Sequence, residues 1–220
     1  MRYNRRMYIF QPDRYLLVAD VKAAAPYIQG KVLDVGAGHF DRYSNYFSAT
    51  QYTKMDVHAG ENVDVVGTAD HIPFPAESFD SVVCTQVFEH LAFPFESAKE
   101  IARVLKPGGH LLVTVPQANE LHEEPYDFFR YTPFGLESLF SGAGFSVVLK
   151  RQRGGFFAFI AQFVFRYMID RFSLYKRPLL GGILSKFFSV FGRLALWLDR
   201  RDSGKANRKH AIGWCYVFQK

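Results

Sequence analysis

Val32-Leu33-Asp34-Val35-Gly36-Ala37-Gly38 is the stretch on which the fold turns. An apolar run with valines at 32 and 35 enters two glycines one residue apart, the pattern of a buried strand running into a tight turn. Glycine takes backbone dihedrals that other residues avoid and lets a ligand approach the main chain. The turn is expected to open a helix. Working outward, apolar runs at 31–35, 52–57, 63–66, 80–85, 110–115, 145–150 and 213–219 read as seven strands. They alternate with amphipathic stretches, which predicts an α/β protein with a seven-stranded, mostly parallel sheet and helices on both faces. Residues 95–105 carry Ala98, Ile101, Ala102 and Leu105 on one helical face, with Pro107, Gly108 and Gly109 expected to end that helix. Pro133, with Thr132 as N-cap, is expected to start another that stops near Gly142 and Gly144.

The chain has 220 residues, 49% hydrophobic and 22% charged. That balance excludes a disordered chain and suits one domain with an elaboration. Two cysteines, Cys84 and Cys215, are too few for a disulfide framework, lack metal-cluster spacing, and read as buried strand residues. The net charge of +6 hides a division: residues 1–149 sum to −6 and residues 150–220 to +12. A basic, Phe-rich C-terminal third signals nucleic acid or an anionic membrane surface.

The basic start of the chain, 1–10, is followed by Asp13, Arg14 and Asp20, a poor signal peptide. The apolar run 156–165 falls short of the roughly 20 residues a spanning helix needs. Residues 179–198 are long enough but contain Lys186 and Arg193, which are expensive in hydrocarbon. A cytoplasmic protein, neither exported nor integral, is the expectation.

Residues 154–210 separate the sixth and seventh strands. Apolar positions 180, 183, 184, 187, 188, 191, 194, 195 and 198 recur at helical spacing, with Gly182, Lys186, Ser189 and Arg193 opposite. Residues 156–168 are apolar almost all round. The chain therefore reads as one domain, 1–220, containing a hydrophobic, basic helical insertion, 154–210.

Asp56 closes the second strand 22 residues after Asp34, where an acid in such a sheet can take both hydroxyls of a ribose. A dinucleotide site would want a third glycine where Asp41 stands, and a carboxylate there repels pyrophosphate. An adenosine ligand without phosphates fits better.

With these residues in place, the chain resembles the class I S-adenosylmethionine-dependent methyltransferases, the methyltransferase type 11 branch, over about residues 30–150. The resemblance lays the Asp34–Gly38 segment, with Gly36 and Gly38, against the methionine part of S-adenosyl-L-methionine. It implies that Asp56 holds the ribose, and that Ala69 and Asp70, before Ile72-Pro73-Phe74, line the adenine side. The segment from Gln86 to Leu91 and the run from Arg103 to Gly109 match further family segments, with Gln86 on the cofactor side. Phe40 departs from the family, where many members carry a third glycine. Each acid also has a plainer reading as a strand-end or loop cap. Asp80 reads as a turn-closing residue, and Glu89 and His90 as either cofactor-edge contacts or a helix-start pair. His39 and His71 read as loop polar residues.

The stretch from His122 to Thr132 follows the fifth strand, and ligands of parallel sheets bind beyond strand carboxyl ends. A loop so placed, dense in His, Asp, Arg and Tyr, is a candidate acceptor site through Tyr126, Arg130 and Tyr131. A similar pattern occurs in methyltransferases of surface polysaccharide and glycolipid assembly. An internal Asp127–Arg130 ion pair that steadies the loop is the alternative, and both can hold. Methyl transfer gains most from alignment, and a hydroxyl acceptor gains further from a general base. His122 is the first candidate for that base and His90 the second.

Three roles compete for the insertion: covering the catalytic domain, forming an oligomer interface, or lying in membrane headgroups. Cations beside an amphipathic helix favour an anionic membrane surface, on the inner face. Clustered phenylalanines disfavour nucleic acid, which would want exposed stacking platforms with interleaved charge. The expected function is O-methylation of a glycolipid, polysaccharide precursor or other membrane-associated acceptor. Its rivals are a small-molecule methyltransferase acting on a quinone precursor or natural product, and a non-catalytic, cofactor-binding membrane adaptor. An NAD dehydrogenase ranks below these.

Overall fold

The computed structural model describes residues 8–220, which cluster into two compact units. One unit holds Ala19–Gln117, Leu121–Arg151 and Trp214–Lys220; the other holds residues 8–18, Ala118–Glu120 and Gln152–Gly213. The elements run α1 (Pro12–Ala24), β1 (Gln29–Val35), β2 (Ser48–Asp56), β3 (Val65–Val66), β4 (Phe79–Thr85), α2 (Pro94–Val104) and β5 (Leu105–Pro116). They continue with α3 (Pro133–Ser141), β6 (Ser146–Arg153), α4 (Phe156–Arg171), α5 (Pro178–Arg201), the single turn α6 (Lys205–Arg208) and β7 (Gly213–Gln219). All seven sequence-predicted strands are present.

The sheet order is β3-β2-β1-β4-β5-β7-β6. The β1–β2, β1–β4, β2–β3 and β4–β5 pairs are parallel. β7 runs the other way. Lys220 exchanges backbone hydrogen bonds with Gly108 and Gly109 at the start of β5, while Ala118 beyond its end donates to Ile212. The central strands carry continuous apolar runs because both faces are covered: Val82, Val83 and Cys84 of β4 and Leu111, Leu112 and Val113 of β5 are fully buried. Cys84 and Cys215 are free thiols within that core. Chain order reverses between β1 and β4, which opens a crevice at the carboxyl ends of these neighbours.

Two local expectations are corrected. No α-helix follows the glycine turn after β1; residues 36–43 form a loop that ends in a 3-10 turn at Ser44–Tyr46. The polar stretch 39–45 offers no apolar face for a helix to bury. Asp41 instead accepts hydrogen bonds from Ser44 N (3.1 Å) and Ser44 Oγ (2.6 Å), fixing a turn. Likewise Pro107-Gly108-Gly109 does not end α2. The helix stops at Val104, and β5 already begins at Leu105 and passes through these residues. α3 follows expectation, with Thr132 Oγ1 accepting from Gly135 N at 3.1 Å.

Within the other unit, α4 buries Ala158, Gln162, Phe165 and Ile169, and α5 buries Gly181, Phe188, Gly192, Ala195 and Leu196. Phe165 and Phe188 stack at 4.3 Å. Of the nine apolar positions expected along one face of α5, Phe188 and Ala195 are buried, whereas Ile183, Phe187, Phe191 and Leu194 are exposed. The buried side of the helix combines the small residues Gly181, Gly192 and Ala195 with Phe188 and Leu196, while Ile183, Phe187, Val190, Phe191, Leu194 and Trp197 face outward. The Asp199 carboxylate of α5 accepts from Gly155 N (2.9 Å), Phe157 N (3.0 Å) and Ala158 N (3.0 Å), so the end of one helix caps the start of the other. Asn207 Oδ1 takes Phe156 N at 2.6 Å.

Arg153, fully buried, pairs with Asp13 at 2.7 Å. Removing one member of a buried pair is costly because it withdraws a charged partner from a desolvated ion. Asp13→Ala is therefore expected to cost about 3 kcal/mol. Thermal unfolding should register this as a Tm lower by roughly 6–12 °C; an unchanged Tm would refute it.

Candidate cofactor and acceptor site

Every sequence-predicted site residue lies in the sheet-containing unit, at or just beyond the carboxyl ends of β1, β2, β3, β4 and β5. Gly36 N and Ala37 N both donate to Met55 O, at 2.8 and 3.1 Å, which folds the glycine turn over the end of β2. Gly36 has φ +73°, and a Cβ there would stand 2.4 Å from Val87 Cγ2. Gly38, at φ +65°, has open space where its Cβ would be. The first glycine is demanded by packing, and the second by its positive φ, with open space beside it.

Asp56 braces this loop from below. Its carboxylate accepts from Gly38 N (2.9 Å) and from His58 N (3.0 Å). Asn62 Nδ2 donates to Gly38 O at 3.2 Å, and Asn62 Oδ1 accepts from Lys54 Nζ at 3.0 Å. Lys54 also pairs with Asp41 at 2.7 Å. The charge of Asp41, expected to repel phosphate, is thus answered by a lysine that the sequence reading did not connect to it.

Asp34, at the mouth of β1, accepts the Tyr52 hydroxyl at 2.9 Å. Burial pushes its carboxyl up to about 7 against the lowering effect of that hydrogen bond, and the neighbouring charges of Asp41 and Asp56 add to the rise. A carboxyl so poised is completed by a cation. Desolvation and the nearby Asp34 charge push the Tyr52 phenol far up, so it stays a donor.

Ala69 is buried and Asp70 exposed beside it, in a loop closed by a Thr68–His71 bridge. α2 holds this loop from behind. Glu100 accepts from Ile72 N at 3.1 Å, while Arg103 donates to Phe74 O (2.8 Å) and Ile72 O (2.9 Å) and grips Glu100 through two more bonds. Neither Glu100 nor this use of Arg103 was anticipated. Their i, i+3 spacing was the available signal. Asp80 takes Lys31 N (2.8 Å) and Lys106 Nζ (2.6 Å), the structural role expected of it.

Gln86 ends β4 in a left-handed conformation, φ +55°, with its amide bonded to Thr114 O and its side chain to Thr114 Oγ1. Such a conformation in a residue with a Cβ marks an over-determined turn. The chain then makes a 3-10 turn, Phe88–His90, anchored by the buried Phe88 against Phe140. Glu89 O accepts from Phe128 N (2.8 Å) and Phe129 N (3.1 Å), tying this turn to the loop after β5.

That tie brings the two histidines together: the His90 and His122 rings meet edge to face, 4.8 Å apart. His90 Nδ1 lies 2.6 Å from Tyr126 O. Asp127, its side chain almost fully buried, accepts His122 N at 3.0 Å and lies 3.4 Å from His122 Nδ1. Arg130 holds the same carboxylate with two bonds, at 2.6 and 2.7 Å, and with His122 keeps its pKa well below the usual range. The steadying ion pair considered from sequence is therefore present. Tyr126 exposes its ring to solvent, but Tyr131 is buried with its hydroxyl donating to Phe88 O at 3.1 Å. Arg130 and Tyr131 are thus engaged inside the loop, while Tyr126 and the histidine pair border its surface. Burial raises the Tyr131 phenol to beyond its ordinary range.

Open space beside Gly38, a poised carboxyl at Asp34 and a second carboxylate at Asp56 fit a cationic adenosine derivative. Residues 33–113 also match the family model of a methyltransferase domain. Over these residues the chain is similar to the class I S-adenosylmethionine-dependent methyltransferases. The match implies S-adenosyl-L-methionine as the cofactor. The chain is 32% identical over 116 residues to the uncharacterised methyltransferase YcgJ of Bacillus subtilis, which covers 46% of each chain. It is 35% identical over 109 residues to a fatty-acid O-methyltransferase of Mycolicibacterium smegmatis, covering 42% of this chain and 39% of the relative. The chain thus spans less than half the length of these curated relatives. A solved Burkholderia thailandensis 1,6-didemethyltoxoflavin-N1-methyltransferase, bound to 1,6-didemethyltoxoflavin and S-adenosylhomocysteine, shares the fold. Its TM-score is 0.58 at 13% identity, over 95% of this chain and 78% of that chain.

Proposed function

We propose that this protein transfers a methyl group from S-adenosyl-L-methionine to a hydroxyl of a glycolipid, a polysaccharide precursor or another acceptor held at an anionic membrane surface, on its cytoplasmic face. The observation that carries the membrane part is the outer face of α5. Leu179, Ile183, Phe187, Val190, Phe191, Leu194 and Trp197 are exposed along it at helical spacing. Lys186 and Arg193 flank the stripe, and Arg200 and Arg201 end it, with Arg201 stacked 4.0 Å over Trp197. An apolar stripe edged with cations suits the boundary between headgroups and acyl chains.

By length and composition this 24-residue helix could also cross a membrane. Its inner face favours the surface instead, because a helix whose Phe188 and Gly192 stay packed on the protein offers only its other side to lipid. The fatty-acid O-methyltransferase relative supports an oxygen acceptor with an aliphatic body.

On the cofactor side, Asp34 is suited to the ammonium of the methionine part and Asp56 to the ribose. Gly36 and Gly38 give the backbone close approach, Ala69 and Asp70 are suited to the adenine side, and Gln86 stands on the cofactor side. The bound cofactor supplies a methyl group on a sulfonium with a good leaving group. What remains for the protein is alignment, exclusion of water and removal of a proton from the acceptor hydroxyl. The His122–His90 pair is suited to the last task, with Asp127 orienting His122 and Tyr126 offering an aromatic edge to the acceptor.

Flotation with vesicles containing phosphatidylserine tests the membrane part. The protein is expected to float at low salt and to be released as salt rises. Each cation near the surface is worth about 1 kcal/mol, so the Lys186→Ala, Arg193→Ala double variant should bind about thirtyfold more weakly. Failure to bind at low salt, with methylation of water-soluble acceptors, would favour the small-molecule reading. Cofactor binding without turnover on any acceptor would favour the adaptor.

A further inference from the structure

We propose that Glu89, His90 and His122 bind a divalent transition-metal ion through which the histidine pair acts on the acceptor oxygen. The proposal rests on the acceptor-site reading above and specifies how that site works. One ligand atom from each of the three residues lies within 4.8 Å of the others, so modest side-chain adjustment brings all three to a shared ion. Two imidazoles and a carboxylate form a donor set that suits zinc and its neighbours rather than magnesium or calcium.

Both histidines are oriented as ligands usually are. A carbonyl oxygen can only accept, so the 2.6 Å contact with Tyr126 O fixes the proton of His90 on Nδ1 and leaves Nε2 to ligate. The Asp127 carboxylate stands 3.4 Å from Nδ1 of His122, selecting its Nε2 in the same way. Metal-bound histidines characteristically give their other nitrogen to a carbonyl or carboxylate, which fixes the ring and raises its basicity. Asp127 is itself locked by Arg130 and by His122 N, so this support is rigid.

The third donor, Glu89, is fully buried in a turn pinned by Phe88 and by the two amides of Phe128 and Phe129. A buried carboxylate gains from a cation beside it. Glu123, exposed and 3.9 Å from His90 Nε2, is a fourth oxygen at the rim. Three protein ligands leave coordination positions for an acceptor hydroxyl, whose proton becomes more acidic on the ion. That proton passes to the Glu123 carboxylate or to bulk water, the histidines then acting as ligands rather than as the base. The oxygen takes the methyl group as its bond to the cofactor sulfur breaks. Asp127 is then a positioning residue.

The test uses the full chain, dialysed against chelator and titrated with zinc chloride and cobalt chloride. One zinc per chain is expected, with a Tm rise of about 5 °C or more in excess zinc. Cobalt should give the visible absorption of a histidine- and carboxylate-ligated ion. Glu89→Gln, which keeps size and shape, and His122→Ala should each weaken zinc binding about tenfold or more, while His210→Ala, outside the cluster, should not. Absence of stoichiometric binding, or equal binding in these two variants, overturns the metal site. Calorimetry of the metal-free protein with S-adenosyl-L-methionine reports separately on the methyltransferase reading, which survives loss of the metal.

Discussion

Asp34→Asn is expected to weaken S-adenosyl-L-methionine binding about thirtyfold or more while making the unliganded protein more stable at pH 8. The two effects share one cause. Packing raises the Asp34 carboxyl to about 7, so the unliganded fold holds a proton that the unfolded chain gives up near pH 4. A folded pKa raised above the unfolded value contributes stability that is full below pH 4 and is lost as pH rises through 7. Asparagine keeps the shape and still accepts from Tyr52, but carries no charge to desolvate. Its Tm at pH 8 should rise by roughly 5–10 °C, and the fall in wild-type Tm from pH 5 to pH 8 should flatten.

The cofactor supplies the cation that makes the charged form of Asp34 worthwhile. Removing one partner of a buried charge pair costs about 2–5 kcal/mol of binding, the source of the thirtyfold figure. In the wild type, affinity should accordingly fall about tenfold between pH 8 and pH 6, as the carboxyl takes up its proton. Calorimetry at the two pH values and on both proteins checks this. A variant that binds as tightly as wild type, with an unchanged Tm, would assign Asp34 a purely structural role.

His122→Ala should leave cofactor affinity within about twofold of wild type and lower turnover by roughly 10²–10⁴-fold, the usual reach of a positioned proton-handling group. The separation is expected because His122 belongs to the loop after β5, whereas Asp34, Gly36, Gly38 and Asp56 belong to the ends of β1 and β2. Single-turnover measurement with an acceptor, beside a cofactor titration, resolves the two. Unchanged turnover would remove His122 from the chemistry. A parallel loss of cofactor affinity would instead mean that the loop shapes the whole crevice.

Much of this protein is legible in its sequence because its strands are buried on both faces. Continuous runs such as Val82-Val83-Cys84 and Leu111-Leu112-Val113 announce themselves without reference to partners. The glycine turn was legible too, since glycines at 36 and 38 answer local constraints. What escaped was set by contacts between distant residues. The missing helix after β1 was lost to Asp41, which binds Ser44 and Lys54 in place of helix geometry. Periodicity along α5 was read correctly as helical, but spacing alone left open whether its apolar stripe covers the catalytic domain, an oligomer interface or membrane headgroups. Spacing reveals that a helix has an apolar stripe, and only the small residues at 181, 192 and 195 reveal which side a neighbour can approach. The pairing of His90 with His122 was out of reach for the same reason, since 32 residues separate them and the amides of Phe128 and Phe129 close the gap.

Arg153 O accepts from Ile212 N at 2.9 Å, and between these two residues lies the whole helical insertion. Its entry and exit therefore share one hydrogen bond, and Asp199 and Asn207 fasten the same point from within. In engineering terms the junction is a socket. A short turn joining β6 to β7 there would keep the strand ends in register, and helices with other outer faces could be fitted on the same stem. The sheet and the outer face of the inserted helices are then separately exchangeable, so that face can change without altering a single residue at the strand ends of the candidate site.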